Sequence, residues 1–306
     1  MSLNVITYHY VRKIKKSKYS NLKGLEFSLF KKQINFFKKN FEIISMEQFL
    51  NEDYNKKKKN ILLTFDDGLN DHYKFVFPFL MSKKIKGSFF APVNSTEKRT
   101  ILEVHKLQFI FEYYQDKRSL LNEILGIVRK HKINIESLYK KQITLIKKND
   151  HRFNDKYTNI IRNLIQYILP KKVSKMIVSK YFNIILGKNK NFVDDLYMTT
   201  EQMREMINNG MHFGSHGKKH VWLEYEKDKE QLNEINSSKN FLIKNGINQD
   251  SLTICYPFGS YNFKTLKILK KLNFKAGFTT NFPRSNKISN KLIIPRYDTN
   301  DFLDKI

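Results

Sequence analysis

Two short clusters hold most of the side chains suited to hydrolytic chemistry. The first is Thr64-Phe65-Asp66-Asp67-Gly68, where two carboxylates are adjacent. Neighbouring carboxylates repel unless they have different partners, and a cation bound by one leaves the other free to accept a proton. The plainer alternative is that Asp67-Gly68 only marks a turn. The second cluster is Gly214-Ser215-His216-Gly217-Lys218-Lys219-His220. Two imidazoles four residues apart share a face if the segment turns like a helix. Joined by one carboxylate, they make a catalytic metal set that keeps open positions. A histidine taken singly is more often structural. A third cluster, Cys255-Tyr256-Pro257-Phe258-Gly259-Ser260-Tyr261-Asn262, can shape an aromatic-walled sugar pocket and present a backbone N–H to an oxyanion, or can be a turn and nothing more.

Each cluster directly follows a short apolar run, so the elements that position them come next. Strands are predicted at 4–8, 41–45, 60–65, 87–93, 211–215, 252–256, 276–280 and 292–297. Helices are predicted between them. Phe27, Phe30, Ile34 and Phe37 give helical spacing over 27–39, Ser45 with Gln48 could cap the next helix, and further helices fall at 71–82, 199–209, 227–244 and 263–272. Gly210 closes the 199–209 helix as a C′ glycine. Strands alternating with helices predict a parallel sheet or barrel, whose active sites gather at the strands' C-terminal ends. From about 100 to 196 the rhythm changes to helices alone, at 101–114, 119–130, 158–168 and 171–185. This is a helical insertion, either a cover for one edge of the core or a platform that helps hold substrate.

Composition narrows the classes. The 306 residues are 41% hydrophobic, enough for a buried core and too much for a disordered chain. No apolar run reaches the roughly 18–20 residues of a membrane span. The N-terminal MSLNVITYHYV reads as a strand and not an export signal, so a cytoplasmic location is expected, with membrane contact at most peripheral. Cys255 is the only cysteine, which excludes an internal disulfide and a cysteine-clustered zinc site. Lys and Arg number 56 against 29 Asp and Glu, a net charge of +27. That charge suits an anionic partner such as nucleic acid, a phospholipid surface or a diphosphate-linked sugar. Compositional bias accounts for it more simply, since Lys, Asn, Ile and Phe are abundant together, so the charge by itself decides nothing. No nucleic-acid reading motif accompanies it.

In this order, Asp66-Asp67 in TFDDG, His216 and His220 after Gly214-Ser215, and YPFGSYN resemble the polysaccharide deacetylases, the NodB-homology group of carbohydrate esterase family 4. The resemblance covers about residues 1–98 and 197–300 and implies an α/β fold, a distorted (β/α)7 barrel with a helical insertion. The expected division is a deacetylase barrel of 1–98 and 197–306 around an insertion of 99–196. The resemblance also implies that Asp67, His216 and His220 bind a divalent metal, zinc first, with Co, Ni or Mn as alternatives. Asp66 is then the general base. Many members carry an arginine where Cys255 stands, and a late catalytic histidine, yet no histidine follows His220 here. Tyr8-His9 instead resembles the poly-N-acetylglucosamine deacetylase branch, in which circular permutation moves the general-acid histidine to the first strand. That implies His9 as the acid, and Arg296 is a candidate replacement for the missing arginine beside Asp66. Tyr256, through its backbone N–H, is the expected oxyanion donor, with Pro257, Phe258 and Gly259 lining the substrate site.

The function so implied is metal-dependent removal of N-acetyl groups from a carbohydrate. The expected substrate is a lipid- or nucleotide-linked intermediate of bacterial surface-polysaccharide synthesis. The alternatives are a deacylase of another small amide and a non-catalytic carbohydrate- or nucleic-acid-binding protein.

Overall fold

The computed structural model describes residues 3–138, 140, 154–186, 191–283 and 288–305, which group into two units. The first comprises Met1–Lys16, Gly24–Leu102 and Asn191–Ile306; the second comprises Ser17–Lys23 and Glu103–Lys190.

In the first unit the strands are β1 (Leu3–Tyr8), β2 (Val11–Arg12), β3 (Leu25–Glu26), β4 (Glu42–Ile43), β5 (Asn60–Phe65), β6 (Ser88–Ala91), β7 (His212–Ser215), β8 (Thr253–Cys255), β9 (Ala276–Phe278) and β10 (Tyr297–Asp298). The main sheet runs β10-β1-β5-β6-β7-β8-β9, and every pairing in it is parallel. The last segment meets both ends of that path: Ile294 bridges Phe278 of β9, while Tyr297 pairs with Ile6 of β1. This is the curled parallel sheet of a (β/α)7 barrel. Its distortion shows at β5, which pairs with β1 along its whole length. On its other side β5 pairs with β4 at Asn60–Ile61 and with β6 at Thr64–Phe65. All six residues of β5 are buried, which is why a continuous apolar run encodes it.

The helices follow the apolar spacing. Phe27–Asn40 turns Phe30, Ile34 and Phe37 into the core, and Ser45 and Gln48 form a reciprocal capping box on Met46–Leu50. Thr199 and Gln202 cap Thr200–Asn208 in the same way, and Gly210 follows it with φ +81°. Three expectations need adjusting. The strand predicted at 292–297 forms only at Tyr297–Asp298, with Ile294 making an isolated bridge. The helix predicted at 71–82 opens with a π turn, His72–Val76, before Phe77–Ser82 becomes α-helical. The strand predicted at 41–45 shrinks to Glu42–Ile43, because β5 shares that edge with β6.

Apart from Ser17–Lys23, the described part of the second unit is mainly helical, with Glu103–Tyr113, Lys117–Lys130, Lys156–Asn163, a π turn at Leu164–Ile168, and Lys171–Leu186. Its core includes Ile110, Ile124, Ile161 and Phe182. Tyr181 packs edge-on against Tyr114 at 5.4 Å and donates to Glu123 at 3.0 Å.

Candidate functional site

The two carboxylates leave β5 where it ends. The Asp66 amide still donates to Tyr8 O at 2.9 Å, so Asp66 continues the sheet. Asp67 and Gly68 then turn through left-handed backbone, with φ +78° and +63°. Aspartate tolerates that region, and Gly68 must occupy it with Ala91 so close that a Cβ would lie 3.0 Å from the alanine methyl. The reversal sends the two side chains to different partners.

Asp67 faces the histidines. Its Oδ1 lies 3.3 Å from His216 Nε2 and 3.4 Å from His220 Nε2, and one ligand atom from each of the three residues falls within a span of 4.8 Å. His216 follows β7 and is buried; its Nδ1–H donates to Cys255 O at 2.7 Å. That bond fixes the tautomer and leaves Nε2 bare toward Asp67, the usual outer support of a metal-binding imidazole. The imidazoles converge across a loop, not the helical turn the four-residue spacing suggested. Gly217 and His220 both have positive φ, and Glu234 accepts the Lys218 and Lys219 amides at 2.9 and 2.8 Å. Burial opposes a charge on His216, but Asp67 and Asp66 beside it outweigh burial and raise its pKa. The field of the site therefore favours positive charge. Two nitrogens and one carboxylate oxygen in such a field fit a divalent cation.

Asp66 is held apart from this trio. Arg296, 2% exposed, grips it with both nitrogens, Nη1 to Oδ1 at 3.0 Å and Nη2 to Oδ2 at 2.7 Å. Burial by itself would raise the Asp66 pKa; the Arg296 charge outweighs it and holds the carboxyl well below the usual carboxylate range. Arg296 also donates to Thr64 Oγ1 at 3.1 Å, to Thr279 O at 2.9 Å and to Cys255 Sγ at 3.1 Å. An arginine from the last strand segment thus lies against the small Cys255 and reaches the carboxylate from there. His9 approaches Asp66 from outside, its Nε2 4.0 Å from Oδ2.

The third cluster corrects one expectation. The Tyr256 amide continues the β8–β9 ladder by donating to Phe278 O at 3.0 Å, and its hydroxyl donates to Leu292 O at 2.6 Å. It is therefore unavailable to an oxyanion. Phe258, two residues on, has φ +59°, and among the described residues its N–H makes no hydrogen bond. Its ring stands edge-on to His220 at 4.5 Å and stacks on Trp222 at 4.2 Å. Pro257 is buried beneath this turn. Gly259, with φ +70°, passes so near Thr280 that a Cβ would lie 2.2 Å from its hydroxyl. Sequence patterns gave no sign of Glu234 or of the Asp71-His72 pair described below. Both are ordinary residues whose role exists only through contact.

The polysaccharide deacetylase family model matches residues 53–155 and 147–277. A Bacillus subtilis (strain 168) protein named for polysaccharide deacetylation, YxkH, is 37% identical over 84 residues, which cover 28% of this chain and 30% of that relative's length. Among solved structures, the Streptococcus pyogenes deacetylase PplD in complex with acetate matches with TM-score 0.60 and 20% identity, covering 97% of this chain and 92% of that one. IcaB from Ammonifex degensii matches with TM-score 0.58 and 16% identity, covering 99% and 94%. At these identities the structural likeness shows the fold.

Proposed function

We propose a reaction for this chain from one premise: it belongs to the polysaccharide deacetylase family. The proposed reaction is metal-dependent hydrolysis of an N-acetyl group on a saccharide. The observation that carries it is the division of labour between two adjacent carboxylates. Asp67 joins His216 and His220, whereas Asp66 is gripped by Arg296 and kept out of that trio.

Asp67, His216 and His220 would hold a divalent cation, zinc first. Such a cation supplies Lewis-acid polarisation of the acetyl carbonyl and acidifies the attacking water. Asp66, ionised throughout the working range, takes the proton that the water releases. Arg296 keeps that carboxylate charged and fixes its direction. Its weakened basicity would be offset by the acidity that a bound cation would give the water. The N–H of Phe258, in place of Tyr256, receives the oxyanion as the carbonyl becomes tetrahedral. His9 delivers the proton that lets the sugar amine leave, and acetate is the other product. The aromatic turn of Phe258 and Trp222 suits a sugar face next to these groups.

For the substrate we infer a lipid- or nucleotide-linked intermediate of surface-polysaccharide synthesis. The net charge of +27 supports a diphosphate-bearing ligand. Among the described residues no helix is long and apolar enough to cross a membrane.

The test is acetate release from a panel of N-acetylated saccharides, with metal content measured on the same protein. Activity should vanish with a chelator and return with zinc. A His216→Ala variant should lose metal and activity together. Undiminished activity in a metal-free protein would overturn the proposal.

A further inference from the structure

Among the described residues the His9 imidazole makes no hydrogen bond, and its side chain is 42% exposed. Its place beside Asp66 is therefore set by its backbone. That backbone is tied down residue by residue. Tyr8 O accepts from Asp66 N at 2.9 Å, His9 O from His72 Nε2 at 2.8 Å, and Tyr10 O from Leu25 N at 2.8 Å. Arg12 Nε then donates to Asp71 Oδ2 at 2.7 Å. Two of these ties come from consecutive residues, Asp71 and His72, on the segment that continues from Asp66 and Asp67.

His72 is well suited to hold a carbonyl. It is fully buried and stands edge-on to Phe65, with the rings 5.5 Å apart. Burial pushes its pKa down to about 4, so at neutral pH it is uncharged. A carbonyl can only accept, so the proton sits on Nε2 and the donor is fixed. The residue opens the π turn His72–Val76, an irregularity that recurs at functional sites.

We propose that His72 is a positioning residue for His9, setting through the His9 carbonyl how closely the imidazole approaches Asp66 and the departing amine. The inference rests on His9 being the proton donor in the reaction above. His72 does not touch the reacting atoms; it acts through the turn between β1 and β2.

The experiment compares two substrates of the zinc-loaded full-length chain. An N-acetylglucosamine oligomer has an amine leaving group that must be protonated, whereas 4-nitrophenyl acetate leaves as a stable phenolate and needs no acid. His72→Phe fills the ring site without a donor. It should lower kcat on the oligomer by at least about tenfold, with KM, bound zinc and the aryl-ester rate unchanged. His72→Gln, which can return an amide N–H to the same carbonyl, should recover most of the loss. If the phenylalanine variant does not fold, His72→Asn, too short to reach, takes its place. In a His9→Ala background the His72 substitution should cost nothing further. Equal losses on both substrates, or the same loss with His9 already absent, would overturn the inference by making His72 merely structural. A wild-type oligomer rate in the folded His72 variant would do the same, with the His9 assignment intact. An unchanged oligomer rate in His9→Ala alone would instead remove the acid itself, and this inference with it.

Discussion

At the residue scale, the adjacent carboxylates are distinguished by their partners and not by their chemistry. Asp66 is buried, and its charge is tolerated because Arg296 meets both oxygens. Replacing Asp66 with Asn should preserve zinc binding, since the proposed metal set is Asp67, His216 and His220, while lowering kcat by about 10²–10⁴-fold. Equal zinc content with wild-type turnover would refute Asp66 as base. Replacing Arg296 with Met removes the countercharge and should destabilise the fold by about 3–5 kcal/mol, measured by urea unfolding at neutral pH. His72 adds a pH dependence. Its folded pKa of about 4 lies below the ordinary histidine value of 6.5, so the unfolded chain binds the extra proton first. Its contribution is complete above pH 6.5 and is lost as pH falls toward 4, at up to about 1.4 kcal/mol per pH unit. The urea midpoint should therefore drop less steeply between pH 7 and pH 5 in His72→Gln than in the parent chain.

At the element scale, the loop from His216 to His220 has little regular structure of its own. Its shape comes from the neighbouring helix Asp228–Lys244, whose Glu234 collects the Lys218 and Lys219 amides and so bends the chain between His216 and His220. Glu234→Ala should weaken zinc binding by about 10–100-fold, read by competition with a chromogenic chelator, while the helix itself persists. Unchanged zinc affinity would mean that the loop is preorganised without Glu234. The β5 strand makes the complementary point. Its buried apolar run leads into Asp66 and Asp67, so the carboxylates start from a rigid strand end and diverge only at the left-handed turn that follows. Strand ends were visible as apolar runs bounded by chemistry-bearing residues. The loop conformation was not, because positive φ at Asp67, His220 and Phe258 has no composition signal comparable to glycine.

At the scale of the whole molecule, a cation bound only by the folded chain should raise the unfolding temperature, and a chelator should lower it. The shift should be absent in His216→Ala. Periodicity alone predicted the alternation of strands and helices and the interruption by helices, since burial on one face imposes its spacing on any chain that folds this way. The ordered pairs Asp66-Asp67 and His216/His220 pointed to the chemistry, and their resemblance to a known family implied the roles proposed for them. Closure of the sheet was decided only in three dimensions. Bringing Ile294 to β9 and Tyr297 to β1 places Arg296 on Asp66, 230 positions away in the chain. The β8–β9 pairing in turn commits the Tyr256 amide to the sheet. Local sequence encodes which residues can form strands and which can ionise. Which of those groups meet, and which hydrogen bonds are already spent, depends on contacts between distant segments that no local pattern records.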